Sequence, residues 1–140
     1  MGKRSILFGN PNADRWKLKC EGASHRECIV EISGELDAGF FHVLTPMCID
    51  PINLQAFATE LESLDRTLSG YATLQSANNQ SKISWTLKVL SLGHIESSGC
   101  YAINGNELTF SFRTDQTQLA PLLRWVHAAL AIYEKADDEE

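Results

Sequence analysis

An amphipathic helix predicted over residues 51–69 constrains the fold most, because it separates two strand-rich halves of the chain. Asp50 is a suitable N-cap residue, and Pro51 takes the first helical position, where its missing N–H costs no hydrogen bond. Apolar residues recur at helical spacing on one face: Leu54, Phe57, Ala58, Leu61, Leu64 and Leu68. Gly70 is suited to the position just after the last turn, so the helix is predicted to end there. A helix with one apolar stripe must bury it against another element, which predicts a layered fold.

The segments before this helix show the period of two that is typical of β-strands. Residues 15–22 alternate, so that Trp16, Leu18 and Cys20 share one face and basic residues share the other. Three further segments are predicted to be strands: residues 4–9, 27–35 and 39–46. The last of these, GFFHVLTP, is apolar and aromatic, which favours a central strand.

The period of two returns after the helix. Predicted strands cover residues 72–76, 82–90, 93–103 and 107–113. The inward face of the second of these carries Ile83, Trp85, Leu87 and Val89. Asn104–Gly105 is a strong signal for a tight turn, so the last two strands are expected to form a hairpin.

A second amphipathic helix is predicted over residues 116–133, with one stripe formed by Leu119, Leu122, Leu123, Val126, Leu130 and Tyr133. Asp115 and Gln118 have the spacing of a capping box, in which Asp115 accepts a first-turn N–H and Gln118 reaches back to the Asp115 amide. Pro121 conflicts with a helix that starts at Asp115, because its ring would clash with a carbonyl four residues back. Either the regular helix begins near Thr117 or Gln118 after a separate turn, or its first turn is kinked. Both alternatives give the polar residues a structural role rather than a ligand-binding one.

These elements predict the α+β class, with a mostly antiparallel sheet of about seven or eight strands packed with two amphipathic helices. Most connections are too short for parallel crossovers. A single sheet with one apolar face under both helices is the simplest arrangement. Residues 1–133 are expected to form one domain, and the acidic residues 134–140 a disordered tail. A D-x-x-x-L pattern recurs at Asp50 and Asp115, which either an old duplication or, preferably, shared helix-start physics would explain.

Composition narrows the classes of partner. The 140-residue chain has a formal net charge of −6, which argues against nucleic acid, because phosphate binding needs a positive face. No apolar run is long enough to span a membrane. Four cysteines occur without metal-binding spacing, and the N-terminus lacks the apolar core of a signal peptide. We therefore expect reduced, mostly buried thiols and a cytoplasmic protein.

Residue types that carry chemistry are dispersed. The four histidines lack metal-binding spacing, and nucleotide-binding and serine-hydrolase motifs are absent. His42, within an apolar segment, is interpreted as a hydrogen-bonded core or edge histidine. The sequence therefore predicts no catalytic residue, no metal and no cofactor. A small enzyme that assembles His42, His94 and Cys100 in space stays open as an alternative, as does a module that binds an apolar ligand against the sheet.

Several segments together resemble a known family. They are a W-x-L strand at Trp16, a helix L-x-x-F-x-x-x-L-x-x-L that ends in LSGYA, an SGCY strand, and the run FRTDQTQL over Phe112–Leu119. This pattern resembles the bacterial WapI-type immunity proteins and their uncharacterised relatives over most of residues 14–131. The resemblance implies a non-enzymatic cytoplasmic protein that protects its cell by binding a toxin domain, and it implies no catalytic residues.

The leading functional hypothesis is therefore a non-enzymatic protein-binding domain, as an immunity protein would be. Glu60, Glu62 and Asp65 on the first helix are the predicted partner-binding residues, because acidic charge would steer a basic toxin domain toward them. The sequence leaves the identity of the toxin and the oligomeric state open.

Overall fold

Four strands and a helix occur twice in succession in the computed structural model, which describes residues 4–10, 12–39, 41–77 and 81–136. The strands are β1 (Ser5–Gly9), β2 (Arg15–Ser24), β3 (Ile29–Ala38), β4 (Phe41–Ile49), β5 (Tyr71–Ala77), β6 (Ser81–Val89), β7 (His94–Ile103) and β8 (Asn106–Asp115). The helices are α1 (Pro51–Thr67) and α2 (Leu119–Ala136), and 3₁₀ turns cover Ser91–Gly93 and Gln116–Gln118. The α+β class is confirmed, with eight strands and two helices among the described residues.

The eight strands form two antiparallel sheets rather than the single layer expected from sequence. The first sheet has the order β1-β2-β3-β4 and the second has the order β5-β6-β7-β8. Each sheet is a meander, in which every strand pairs with the next one along the chain. Two sheets can cover each other's apolar faces, which explains why the helices need not cover all of the apolar strand residues.

Aromatic side chains join the two sheets. The ring centroids of Trp16 and Trp85 lie 6.0 Å apart, and those of Phe8 and Trp85 lie 5.5 Å apart in an edge-on contact. Phe110 meets the Trp16 ring edge-on at 5.3 Å, and Phe57 of α1 packs against Trp85 at 5.6 Å. These rings belong to one hydrophobic core shared by both sheets and both helices. Such pairs contribute beyond the apolar area that they bury.

Helix α1 has the start that the sequence predicts. The Asp50 side chain accepts a hydrogen bond from the Ile52 N–H at 2.7 Å, and Pro51 begins the helix. Leu68 ends it in a left-handed conformation at φ 53°, with its N–H bonded to the Leu64 carbonyl. The helix packs its apolar stripe on β5 and on α2.

The start of α2 follows the first of the two alternatives for Pro121. A 3₁₀ turn over Gln116–Gln118 precedes the regular helix, which begins at Leu119 and places Pro121 in its first turn. At that position the proline ring meets no helical carbonyl four residues back. The helix continues to Ala136, so residues 134–136 are helical rather than part of the expected tail. The rest of that tail, residues 137–140, lies outside the described residues.

Strand β4 lies at an edge, although its apolar sequence favoured a central position. It pairs only with β3 in the first sheet, and Phe41 and Leu44 are 66% and 69% exposed. Thr45, Met47 and Ile49 face the core in its second half. The apolar character of the first half therefore marks exposed surface rather than burial on both faces.

Candidate functional site

The three predicted partner-binding acids on α1 are exposed, but they do not form one patch. The Glu60 carboxylate accepts a hydrogen bond from the Thr73 N–H at 2.9 Å and so covers part of the edge of β5. Glu62 and Asp65 lie three positions apart and share a different flank of the helix. On α1, the acidic surface available to a partner therefore consists mainly of Glu62 and Asp65.

The polar corner before α2 has a structural role. Asp115 accepts hydrogen bonds from the hydroxyl and, at 2.9 Å, from the backbone N–H of Thr117. These bonds lower the pKa of Asp115, because they stabilise its charged form. Gln118 does not complete the expected capping box. Its side-chain oxygen accepts the Gly9 N–H at 3.2 Å, because the buried end of β1 presents a donor that needs a partner there.

The dispersed residues of the alternative enzymatic hypothesis stay apart. His42 lies on the first sheet, whereas His94 opens β7 and Cys100 lies six positions later on the same strand. No hydrogen bond joins any two of them in the described part of the chain. Burial raises the pKa of the Cys100 thiol, which disfavours the thiolate that a nucleophile requires. The arrangement does not match a catalytic constellation.

His42 belongs instead to a charged cluster on the outer face of the first sheet. Its Nδ1 lies 2.6 Å from the Asp37 carboxylate, and its Nε2 lies 3.4 Å from the Glu35 carboxylate. The bond to His42 lowers the pKa of Asp37, and the Arg15 guanidinium lies 3.5 Å from the second Asp37 oxygen. Glu35, Asp37 and His42 are close enough to hold a metal ion. The adjacent Arg15 charge disfavours a divalent cation, so the cluster fits a surface polar network across β2, β3 and β4 that includes the Arg15–Asp37 ion pair.

The interior leaves little room for a small ligand. A cavity of about 10 Å³ lies between the two sheets and α1, beside Trp16, Trp85 and Phe57. Such a volume holds about one water molecule. This close packing counts against the hypothesis of an apolar ligand inside the fold.

A larger groove lies at the surface between β8 and the turn that joins β3 to β4. We call it the β8 groove; its volume is about 650 Å³. Five consecutive residues of β8, Glu107–Ser111, form one wall, and the opposite wall includes Leu36, Ala38 and the exposed Phe41 ring. The sequence analysis missed this site. The apolar segment that contains Phe41 was its only local signal, and that segment was interpreted as a buried strand.

None of the helices in the described ranges is both long enough and apolar enough to cross a membrane. No curated protein matches the sequence. A family model described as the immunity protein WapI-like family matches residues 7–134.

Solved structures with a similar fold include plant and trypanosome proteins. WHY3 from Arabidopsis thaliana superposes with a TM-score of 0.56 at 6% identity, over 94% of this chain and 89% of that chain. The plant transcriptional regulator PBF-2 gives a TM-score of 0.54 at 7% identity, over 96% and 85%. Trypanosoma bruciei MRP1/MRP2 gives a TM-score of 0.51 at 9% identity, over 90% of this chain and 81% of that chain. At these identities the likeness is one of fold.

Proposed function

This chain belongs to the immunity protein WapI-like family, and on that premise we propose that it binds a protein toxin and neutralises it without catalysis. The family match over residues 7–134 is the observation that carries the proposal. The site geometry supports it, since His42, His94 and Cys100 lie apart while Phe41 and Leu44 are exposed. Exposed aromatic and aliphatic side chains are typical anchors of protein interfaces.

The partner in this proposal is a basic toxin domain, and the site of protection is the bacterial cytoplasm. The net charge of −6 would attract such a domain. Glu62 and Asp65 on one flank of α1, with Glu60 on the flank next to β5, are the acidic residues proposed to steer its approach. Charges at the rim of an interface change association rates more than they change the final affinity.

Transcriptional regulation, the role stated for PBF-2, is not part of the proposal. The likeness rests on 7% identity, and the negative charge of this chain opposes contact with phosphates. Fluorescence anisotropy with labelled single-stranded and double-stranded oligonucleotides checks this directly. Salt-sensitive binding to them would favour a nucleic-acid partner over a protein toxin.

Co-expression with a toxin tests the proposed function. The toxin-like product of a neighbouring reading frame is expressed in a host cell, with and without this chain, and growth is followed. We expect growth to be rescued, and we expect a complex to form with a version of the toxin whose active site has been inactivated. If no neighbouring gene product forms a complex with this chain, and this chain restores growth in the presence of none of them, the proposed function is wrong.

A charge-reversal pair tests the acidic surface of α1. Glu62→Lys with Asp65→Lys should slow association with the toxin about tenfold at low ionic strength, and high salt should abolish the difference. Glu27→Lys with Glu134→Lys is the matched control, since both residues are exposed and the net charge changes equally. Equal slowing by both pairs would show that overall charge, rather than α1, steers the partner.

A further inference from the structure

The outer edge of β8 presents backbone groups that face the β8 groove. The Asn10 side chain donates to the Arg113 carbonyl at 2.8 Å from the first sheet, so the backbone of Arg113 points away from β7. Backbone groups alternate sides along a strand, so those of Glu107, Thr109 and Ser111 point the same way. The described residues offer these three no hydrogen-bond partner on that side. They form a row about 14 Å long at roughly 3.4 Å per residue.

Each of the other sheet edges has side-chain contacts to its backbone at particular positions. At the end of β1, the Gln118 side-chain oxygen accepts the outward Gly9 N–H at 3.2 Å. On β5, Glu60 accepts the Thr73 N–H at 2.9 Å. Proteins commonly cover edge strands in this way to prevent unwanted pairing. Among the described residues, the stretch of β8 from Glu107 to Ser111 has no such contact on its outer side.

Two backbone carbonyls in the second half of β4 also have side-chain partners. The Tyr101 hydroxyl donates to the Pro46 carbonyl at 3.0 Å, and the Ser76 hydroxyl donates to the Cys48 carbonyl at 2.9 Å. The remaining half of β4 begins at Phe41, whose ring borders the β8 groove. The open stretch of the β8 backbone and the exposed Phe41 ring therefore border the same groove.

The turn that carries the second wall is held in position. The Gly39 N–H donates to the Asp14 carboxylate at 2.8 Å, which joins the turn after β3 to the segment before β2. The wall so positioned combines Leu36, Ala38 and Phe41. One side of the groove therefore offers hydrogen bonds and the other offers apolar contact, as in sites that receive an added strand.

The charge of the residues that line the β8 groove indicates which kind of segment would bind there. Asp14 and Glu107 line the groove, and none of its described lining residues is basic. An incoming strand that places basic side chains toward Glu107 and apolar side chains toward Phe41 would match both walls, and Asp14 beside Phe41 adds to the negative charge of the groove. Alternation of the two residue types is what a strand requires to present them on opposite faces.

We infer that an extended segment of the toxin, with alternating basic and apolar residues, binds in the β8 groove as an added strand of the second sheet. This inference rests on the proposed function. Glu107, Thr109 and Ser111 supply the main-chain hydrogen bonds, and Phe41 is the apolar anchor. A second copy of this chain, pairing edge to edge along β8, is the competing occupant.

A peptide titration tests the groove without the toxin. The blocked hexapeptide of alternating lysine and valine is added to the isotope-labelled full chain, and backbone amide shifts are recorded. We expect changes concentrated at Glu107, Thr109, Ser111 and Phe41, and much weaker changes with the peptide in which glutamate replaces lysine. Shifts centred elsewhere would overturn the inference. If shifts at these amides depend on protein concentration alone and sedimentation shows a dimer, the β8 edge binds a second copy of this chain. That result would also overturn the inference.

Edge variants test the same groove against the toxin. Thr109→Pro removes one outward N–H, a change that edge strands tolerate, and should weaken toxin binding about tenfold or more. Thr109→Val is the matched control, because it changes the same side chain and keeps the amide. Phe41→Ala should weaken binding by a similar factor, with little effect on thermal unfolding because the ring is exposed.

The outcomes separate this inference from the proposed function. If the wild-type protein and the Thr109→Pro and Phe41→Ala variants all bind the toxin equally well, the groove is not the toxin-binding site. The proposed immunity function would then still stand. If the wild-type protein binds no toxin, the proposed immunity function is wrong. The peptide titration alone would then test whether the β8 groove binds an added strand. Absence of amide shifts in that titration would remove the groove as well.

Discussion

The Trp85 indole N–H donates a hydrogen bond of 2.7 Å to the Ser97 hydroxyl in the interior of the second sheet. Ser97 is fully buried, and the Trp85 ring also contacts Phe8 and Trp16 of the first sheet. One residue thus satisfies a buried polar group and joins the two sheets. Buried polar groups that lose their partner are costly, so this pair is a sensitive point of the core.

A double-mutant cycle on this pair should show strong coupling. Trp85→Phe leaves the Ser97 hydroxyl unpaired, and Ser97→Ala leaves the indole N–H unpaired, so each should cost about 1–3 kcal/mol of unfolding free energy. The double variant should be less destabilised than the sum of the two, because both polar groups are then removed. Urea unfolding of the four proteins measures the coupling. Additive effects would mean that the hydrogen bond contributes little.

A glycine on β7 should tolerate no side chain. A Cβ atom at Gly99 would lie 2.1 Å from the Ser84 carbonyl oxygen of the neighbouring strand, whereas one at Gly22 would meet nothing within 4 Å. Gly99→Ala should therefore destabilise the protein by about 1–3 kcal/mol or more, since strand backbones would have to separate. Gly22→Ala is the control and should be neutral or slightly stabilising. Equal melting temperatures for the two variants would contradict this close approach.

The cap before α2 should give a pH-dependent contribution to stability. Because the Thr117 hydrogen bonds lower the pKa of Asp115 from its ordinary 3.8, this stability is present above that value and is lost as pH falls through the folded-state pKa. Asp115→Ala should cost about 1 kcal/mol at neutral pH, and the difference from wild type should shrink in acid. Asp115→Asn keeps an acceptor without the titration. A constant difference across the acid range would exclude this linkage.

The four free cysteines should differ in reactivity. Burial raises the pKa of Cys20, whose side chain is only 1% exposed, whereas Cys28 lies exposed in the turn between β2 and β3. Alkylation of the native protein should label Cys28 at least about tenfold faster than Cys20, because burial blocks access to Cys20 and disfavours its thiolate. Peptide mass spectrometry after short reaction times measures the rates, with Cys28→Ser as control. Comparable labelling would indicate that the core opens more readily than its packing implies.

The local elements could be predicted closely because each depends on neighbouring residues. Strict alternation in β2 placed Trp16, Leu18 and Cys20 in the core, and the structure buries all three. Asp50 and Pro51 marked the start of α1 for the same reason, since a helix start is decided within one turn. Asn104–Gly105 likewise marked the turn between β7 and β8, where both residues have positive φ.

The candidate site could not be predicted in the same way. Gln118 was expected to bond within its own turn, yet its partner is Gly9, more than a hundred residues away. Phe41 was expected in a central strand, yet it borders a groove whose other wall is β8. Apolar character reports that a side chain favours contact with apolar surface, and it does not report whether that surface belongs to the same chain.

The sequence by itself determined the order of the strands and helices, their bounds to within about three residues, most of their apolar faces and the family resemblance, because these depend on periodicity and on residues close together along the chain. Only the tertiary structure decided that the strands divide into two facing sheets and that β4 and β8 lie at sheet edges. Those outcomes depend on which distant apolar faces pack against each other. The energies of such long-range contacts are spread over many residues and leave no local pattern.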